Sequence, residues 1–436
     1  MKRFVSSLLA ACAALALVSC REDKEPTVIA PTPPPVLAQT TPTEGAPNPT
    51  GKNDTDDREE PFVGKIAIVH YTPFSGRLDA YVARRVAERL GSDKVVTMEW
   101  PTRYDSEQDV MVEMIEELGR DPSIGAIVVG YTKYGTDLAF ERLAETRDDI
   151  FVVFCLPDET QAADDLARLA NVTLVPDDIN TGPAAVRQAW KLGAETVVYY
   201  SFDSSSPLPG ELERRNGMER QSGELGIPFV DVGMAIPRDA NRIPDQQEYK
   251  WMLRNDVRGK VEQYGRDTAF FSSDSGAQSY LIGPVISARA IFTSHRQSYA
   301  LLDIACSLNV DYLNRSILPG EYGLVNSGEM AASISAALAK NGMSGRVSSM
   351  PVYIEELMIV AGVEYAIKWI NGEVKKEGID IGAMRQLMAD YAGAEVFLSP
   401  ITKDYINAIS DKPGNLAEPV KGYGNVLLVR MDYITY

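Results

Sequence analysis

Lys65-Ile66-Ala67-Ile68-Val69-His70-Tyr71 is a short apolar run rich in β-branched residues that opens into the polar and aromatic loop His70-Tyr71-Thr72-Pro73-Phe74-Ser75-Gly76-Arg77-Leu78-Asp79. A run this short, apolar on both faces, reads as a strand covered on both sides, as in parallel sheets flanked by helices. The pattern repeats outward. A helix over 79–90 closed by Gly91 leads to a strand over 94–98, and a helix over 106–119 leads to a strand over 124–131. Helices over 136–145 and 158–169 alternate with strands over 150–156 and 172–175, completing an open α/β unit of stacked βαβ repeats. The alternation then restarts: helix 182–192, strand 196–202, helix 211–225, strand 229–234, helix 246–264, strand 268–273, helix 278–288, strand 290–294. Beyond 297 the chain reads as mainly helical (299–308, 327–340, 355–376, 382–391), with a last strand over 423–431. The expected fold class is therefore α/β, with two Rossmann-like lobes of parallel strands and extra C-terminal helices.

The chain starts with a basic pair, Lys2-Arg3, an apolar stretch from Phe4 to Val18, and Leu17-Val18-Ser19-Cys20. That order reads as an export signal, too short for a permanent span. Leu17-Val18-Ser19-Cys20 resembles the bacterial lipobox, which implies that Cys20 becomes the first mature residue, carrying acyl chains such as palmitate. An ordinary cleaved signal peptide is the alternative. Residues 20–61 are rich in Pro and Thr, include Pro33-Pro34-Pro35, and read as a disordered stalk. With 61 Asp and Glu against 43 Lys and Arg, the chain excludes nucleic acid as a partner class and leaves no polybasic hold on anionic lipid. Membrane attachment then rests on the lipid anchor.

His70 and His295 are the sole histidines, which argues against histidine catalysis and against a multi-histidine metal site. Gly-x-Ser-x-Gly, Gly-x-Gly-x-x-Gly and the phosphate-binding Gly-x-x-x-x-Gly-Lys-Ser/Thr strings are missing as well, so no enzyme activity, cofactor or metal is expected. Cys155 and Cys306 lie in apolar surroundings and read as two separate buried thiols, a disulfide between them being the alternative.

Asp177-Asp178-Ile179-Asn180-Thr181-Gly182-Pro183-Ala184-Ala185, continuing to Gly193-Ala194-Glu195-Thr196-Val197, is similar to the first lobe-to-lobe crossing of type I periplasmic binding proteins. Arg215-Asn216-Gly217-Met218 before Gly226 resembles the next helix of that fold. Phe270-Phe271-Ser272-Ser273-Asp274 before Ala277 resembles a later strand and loop that present a polar residue to the cleft. The resemblance covers about residues 63–295. It implies two lobes joined by a hinge, 62–177 and 178–296, with 297–436 returning to the lobes and hinge. It further implies an extracytoplasmic lipoprotein, facing the periplasm or the cell surface, that captures a small polar metabolite for an ABC transporter permease. A ligand sensor signalling to a membrane receptor and a non-catalytic surface protein remain as alternatives. The motif of the nucleoside-binding branch and the paired aromatics of the sugar-binding branch are absent, which leaves the ligand class open.

Loops at the carboxyl ends of strands line the crevice of an open parallel sheet. That rule nominates Tyr71, Phe74, Arg77 and Asp79 after the first strand, with rings to stack and a cation to clamp a carboxylate or phosphate. The bland reading packs Phe74 within the loop and pairs Arg77 with Asp79. Tyr131 and Tyr134, flanked by glycines, follow the third strand. The second lobe contributes Asp203, Ser273, Asp274 and His295. Ser and Asp there serve equally as helix caps, and a lone His is often structural.

Overall fold

The computed structural model describes residues 63–71, 77–157, 163–202, 209–238, 245–273, 275–296, 300–310, 313–314, 323–324, 327–402, 404–405 and 423–436. Its first sheet takes strands β1 (Lys65–His70), β2 (Val95–Glu99), β3 (Ile124–Val129), β4 (Phe151–Cys155) and β5 (Val172–Pro176), all parallel. Alternate residues of β1 serve two cores, as the two-residue period of a strand demands. Ile66 and Ile68 pack with Leu78, Val82 and Val86 of α1 (Arg77–Leu90). Ala67 and Val69 pack with Met111 and Ile115 of α2 (Gln108–Arg120) and Phe140 of α3 (Thr136–Ala144), beside Leu166 of α4 (Ala163–Leu169).

The second sheet joins β6 (Thr196–Phe202), β7 (Phe229–Met234) and β8 (Thr268–Ser272) in the order β7-β6-β8. A bridge from Ala269 to Ile291 then leads to β9 (Phe292–Thr293). One face is covered by α5 (Asp178–Lys191) and α6 (Pro209–Leu225), the other by α7 (Gln246–Tyr264) and α8 (Ser275–Ser287). The α5–α6 contact is close because Gly182 faces Arg214: a Cβ there would lie 2.5 Å from the Arg214 Cγ.

After α9 (Ala300–Ser307), the short antiparallel pair β10 (Leu313–Asn314) and β11 (Gly323–Leu324), and α10 (Ser327–Lys340), the chain returns to both sheets. Strand β12 (Val347–Ser349) pairs with β9. Helix α11 (Ile354–Ile370) then lies on the first sheet, buried nearly all round because apolar residues cover most of its circumference. Gly362 permits that approach, since a Cβ would come within 3.0 Å of Val153. Helix α12 (Ile381–Ala392) leads to β13 (Val396–Pro400) and β14 (Val426–Met431), which extend the first sheet, and β15 (Ile434–Thr435) ends on the second. The first sheet thus runs β13-β14-β5-β4-β3-β1-β2, with β13 alone antiparallel, and its order reverses between β1 and β3. Among the described residues the chain passes between sheets three times: from β5 into α5, from β12 into α11, and from β14 into β15.

Cys155 is a free thiol, fully buried. Cys306 is half-buried, and because Cys155 is free no disulfide joins the two. Among the described residues no helix is long and apolar enough to cross a membrane. The leader 1–19, Cys20 and the stalk 20–61 lie outside the described residues.

Candidate functional site

The first wall stands over the β1/β3 reversal, where the loops after neighbouring strands diverge and leave a crevice. Tyr71 follows β1, Trp100 follows β2, and Tyr131 to Lys133 follow β3. Backbone and side chain lock these loops together: the Trp100 N–H donates to the His70 carbonyl at 2.7 Å, and its indole Nε1 donates to the Tyr131 carbonyl at 3.2 Å. Thr132 ties its loop to β4 through its N–H and hydroxyl, both donating to the Cys155 carbonyl at 3.1 and 2.8 Å.

Three tyrosines then form an open box. Tyr71 lies 5.3 Å from Tyr104 at 81° and 6.4 Å from Tyr131 at 53°. The Lys133 ammonium fills it, 3.6 Å from the Tyr131 ring centre, 4.6 Å from Tyr71 and 5.2 Å from Tyr104, with only 7% of the residue exposed. Ring faces stabilise a cation in this way most strongly when water is excluded. Asp79 of α1 is 2% exposed, and one of its carboxylate oxygens has no hydrogen-bond partner. Burial, reinforced by the negative charge of Glu355 at the start of α11, pushes its carboxyl up to about 8, with Lys133 and the Tyr71 backbone pulling the other way.

The second wall is built at the ends of β8 and β9. His295 is wholly buried, edge-on to Phe271, with Nε2 2.7 Å from the Ser272 carbonyl and Nδ1 without a partner. Burial first, then the charges of Arg214 and Arg296, hold its pKa well below the usual histidine value, so the ring is neutral and its Nε2–H donates to Ser272. Arg296 donates through Nη2 to the Ser273 carbonyl and to Glu211 Oε1, each at 3.0 Å. Arg214, on the second turn of α6 and 2% exposed, donates to that same carbonyl at 3.4 Å. The Ser273 hydroxyl accepts from the Phe202 N–H at 2.9 Å and fixes the turn that offers the carbonyl. Tyr433, on the last crossing, donates to the Ser294 carbonyl at 2.9 Å, so a hinge segment touches this wall directly.

Of the residues expected from sequence, Tyr71, Asp79 and Tyr131 meet in the first wall, and Ser273 and His295 meet in the second. Tyr134 is 49% exposed and stands outside the tyrosine box. Phe74, Asp203, Asp274 and the side chain of Arg77 lie outside the described residues. Sequence reasoning placed Arg296 beside His295 at the cleft but did not single out Lys133, Tyr104, Arg214 or Glu355. The available signal was the placement of Lys133 between Tyr131 and Tyr134. Among the described residues no group of three or more His, Cys, Asp or Glu is arranged to hold a metal ion.

Two sheets of mostly parallel strands, each with a polar wall at its carboxyl edge, and three connecting segments among the described residues define a two-lobed α/β fold. A protein from Clostridium difficile 630 described as a transcriptional regulator superposes with a TM-score of 0.72 at 16% identity, over 86% of this chain and 99% of its own. A sugar ABC transporter from Actinomyces odontolyticus ATCC 17982 is similar at a TM-score of 0.45 and 13% identity, over 86% of this chain and 95% of that chain. The chain belongs to the DUF3798 family, described as proteins of unknown function, whose model matches residues 65–348. An uncharacterized protein of Treponema pallidum (strain Nichols) is 26% identical over 195 residues, spanning 45% of this chain and 86% of that relative.

Proposed function

We propose that this protein is an extracytoplasmic solute-binding lipoprotein that takes a small polar metabolite between its lobes and passes it to an ABC-type importer. The reading rests on one observation above all: polar and aromatic side chains are held at the carboxyl edges of both sheets, in lobes joined, among the described residues, by three segments. Polar groups in a largely apolar frame, on bodies that hinge, are what ligand capture by closure needs. The lipobox-like Leu17-Val18-Ser19-Cys20 supplies the anchor in this reading.

The test is mass spectrometry of small molecules released by denaturing the mature chain purified from its native host. A metabolite at one equivalent per chain is the expected result. Nothing released, together with no thermal shift across the host's metabolite extract, would overturn the proposal.

A further inference from the structure

We infer that the second wall is an anion subsite, in which Arg214 and Arg296 together take a carboxylate or phosphate group of the captured molecule. The inference rests on the solute-binding reading and narrows its ligand class. Nine buried side-chain atoms of the described residues lack a hydrogen-bond partner, and four of them sit in this one cluster: Arg214 Nε, Arg296 Nε, the Tyr199 hydroxyl and His295 Nδ1. An unmet buried donor is costly, and a charged one more so, which is why native structures rarely leave any without a partner. Three of the four are donors, and two belong to guanidinium groups.

The charges point the same way. Both guanidiniums converge on a single acceptor, the Ser273 carbonyl, and their like charges repel in a site with little water. Arg296 is compensated by Glu211, which also holds its fork in place. Arg214 makes no ion pair among the described residues, its stem lies against Gly182, and Asp178 and Glu211 act on it only through their charge. His295 is kept neutral by these same neighbours and adds no charge of its own. An oxyanion placed between the two forks would accept from both Nε–H groups and lower the repulsion, an arrangement that planar guanidinium groups favour for carboxylates and phosphates. The position fits as well, because Ser273 and Arg296 follow the carboxyl ends of β8 and β9, where the crevice of this fold lies.

The experiment divides a metabolite extract of the native host on an anion-exchange resin and measures thermal shift of the mature chain with the retained and the unretained pool. The expected result is stabilisation by the retained pool alone; its loss on phosphatase treatment would assign a phosphate, its survival a carboxylate. Arg296→Gln should weaken binding of the retained pool about 10- to 100-fold, and Arg296→Lys less, because the charge stays while the fork is lost. Melting of each variant without added metabolite checks that it folds. Stabilisation by the unretained pool alone would overturn the anion subsite and leave solute binding standing. No shift with either pool would overturn both.

Discussion

In the first lobe the buried cation Lys133 lies against three tyrosine rings with Asp79 and Glu355 alongside, whereas in the second lobe Arg214 and Arg296 share one carbonyl oxygen and leave both Nε atoms without a partner. Both walls bury positive charge at the edge of a parallel sheet. The first supplies ring faces and carboxyl groups from its own chain, so its cation is neutralised before any ligand arrives, with one Asp79 oxygen still lacking a hydrogen-bond partner. The second lacks an acceptor that the protein does not provide. Internal neutralisation makes a rigid platform, and an unmet demand makes an attractive site, so the two walls divide positioning from attraction.

Replacing Lys133 should break this contrast with the largest effect. Lys133→Met keeps the volume and removes the cation whose charge acts on the buried Asp79, which is expected to cost about 3 kcal/mol of folding stability. Urea unfolding at pH 6 and at pH 8.5 checks it. The loss should be greater at the higher pH, where Asp79 ionises; a cost under about 1 kcal/mol at both would show that the lysine does not complete the wall.

How far this contrast was legible in the sequence depends on the range of the contacts that make it. The strands buried on both faces were readable from short apolar runs, and the loops after β1 and β3 followed from the sheet topology, which is how Tyr71, Asp79 and Tyr131 were found. Lys133 reads as a solvated loop lysine, because its burial needs Tyr104 from another βα loop and Glu355 from the far end of the chain. Arg214 sits in α6, whose charges ring the helix and leave no apolar stripe, so nothing distinguishes it from Arg215, which instead pairs outward with Glu219 and Asp231. The C-terminal strands β12, β13 and β15 were not anticipated. Two of them are three residues or shorter, and β13 is an edge strand with alternate residues exposed, ending at Pro400. The helix expected over 355–376 stops at Ile370, because Asn371 and Gly372 turn the chain, with Gly372 at φ 76°.

The walls should also respond to pH in opposite directions. Asp79 is raised in the folded state, so its contribution is fully present below the unfolded pKa near 4 and is lost as pH rises toward about 8. His295 is lowered, so its contribution is present above about 6.5 and is lost as pH falls below that value. Asp303, raised to about 7 by burial, acts in the same sense as Asp79. Asp79→Asn should therefore flatten part of the alkaline decline, by up to about 1.4 kcal/mol per pH unit, and leave the acid limb untouched. Thermal melts between pH 5 and 9 read both limbs. An alkaline limb unchanged by Asp79→Asn would mean that the buried carboxyl does not set it.

Arg214→Met sharpens the comparison from the other side. Removing a buried guanidinium that makes no ion pair among the described residues and filling its space with an apolar chain should raise the stability of the ligand-free protein by about 1 to 2 kcal/mol while abolishing the thermal shift given by anionic metabolites. Lys133→Met and Arg214→Met thus carry opposite signs although both remove a buried cation. If Arg214→Met destabilised the protein as Lys133→Met does, the second wall would be as self-sufficient as the first.

The smallest effect is expected at the rim of the tyrosine box. Tyr104 is the most distant of the three rings from the Lys133 ammonium, at 5.2 Å, and it also meets the edge of Tyr71. Tyr104→Leu retains most of the apolar contact and removes one ring face, so a loss of about 0.5 to 1 kcal/mol is expected, with Lys133 still held by Tyr131 and Tyr71. A double-mutant cycle of Tyr104→Leu with Lys133→Met isolates the pairwise term. A coupling indistinguishable from zero would mean that Tyr104 supports Tyr71 by packing alone, and that the cation is held by two rings rather than three.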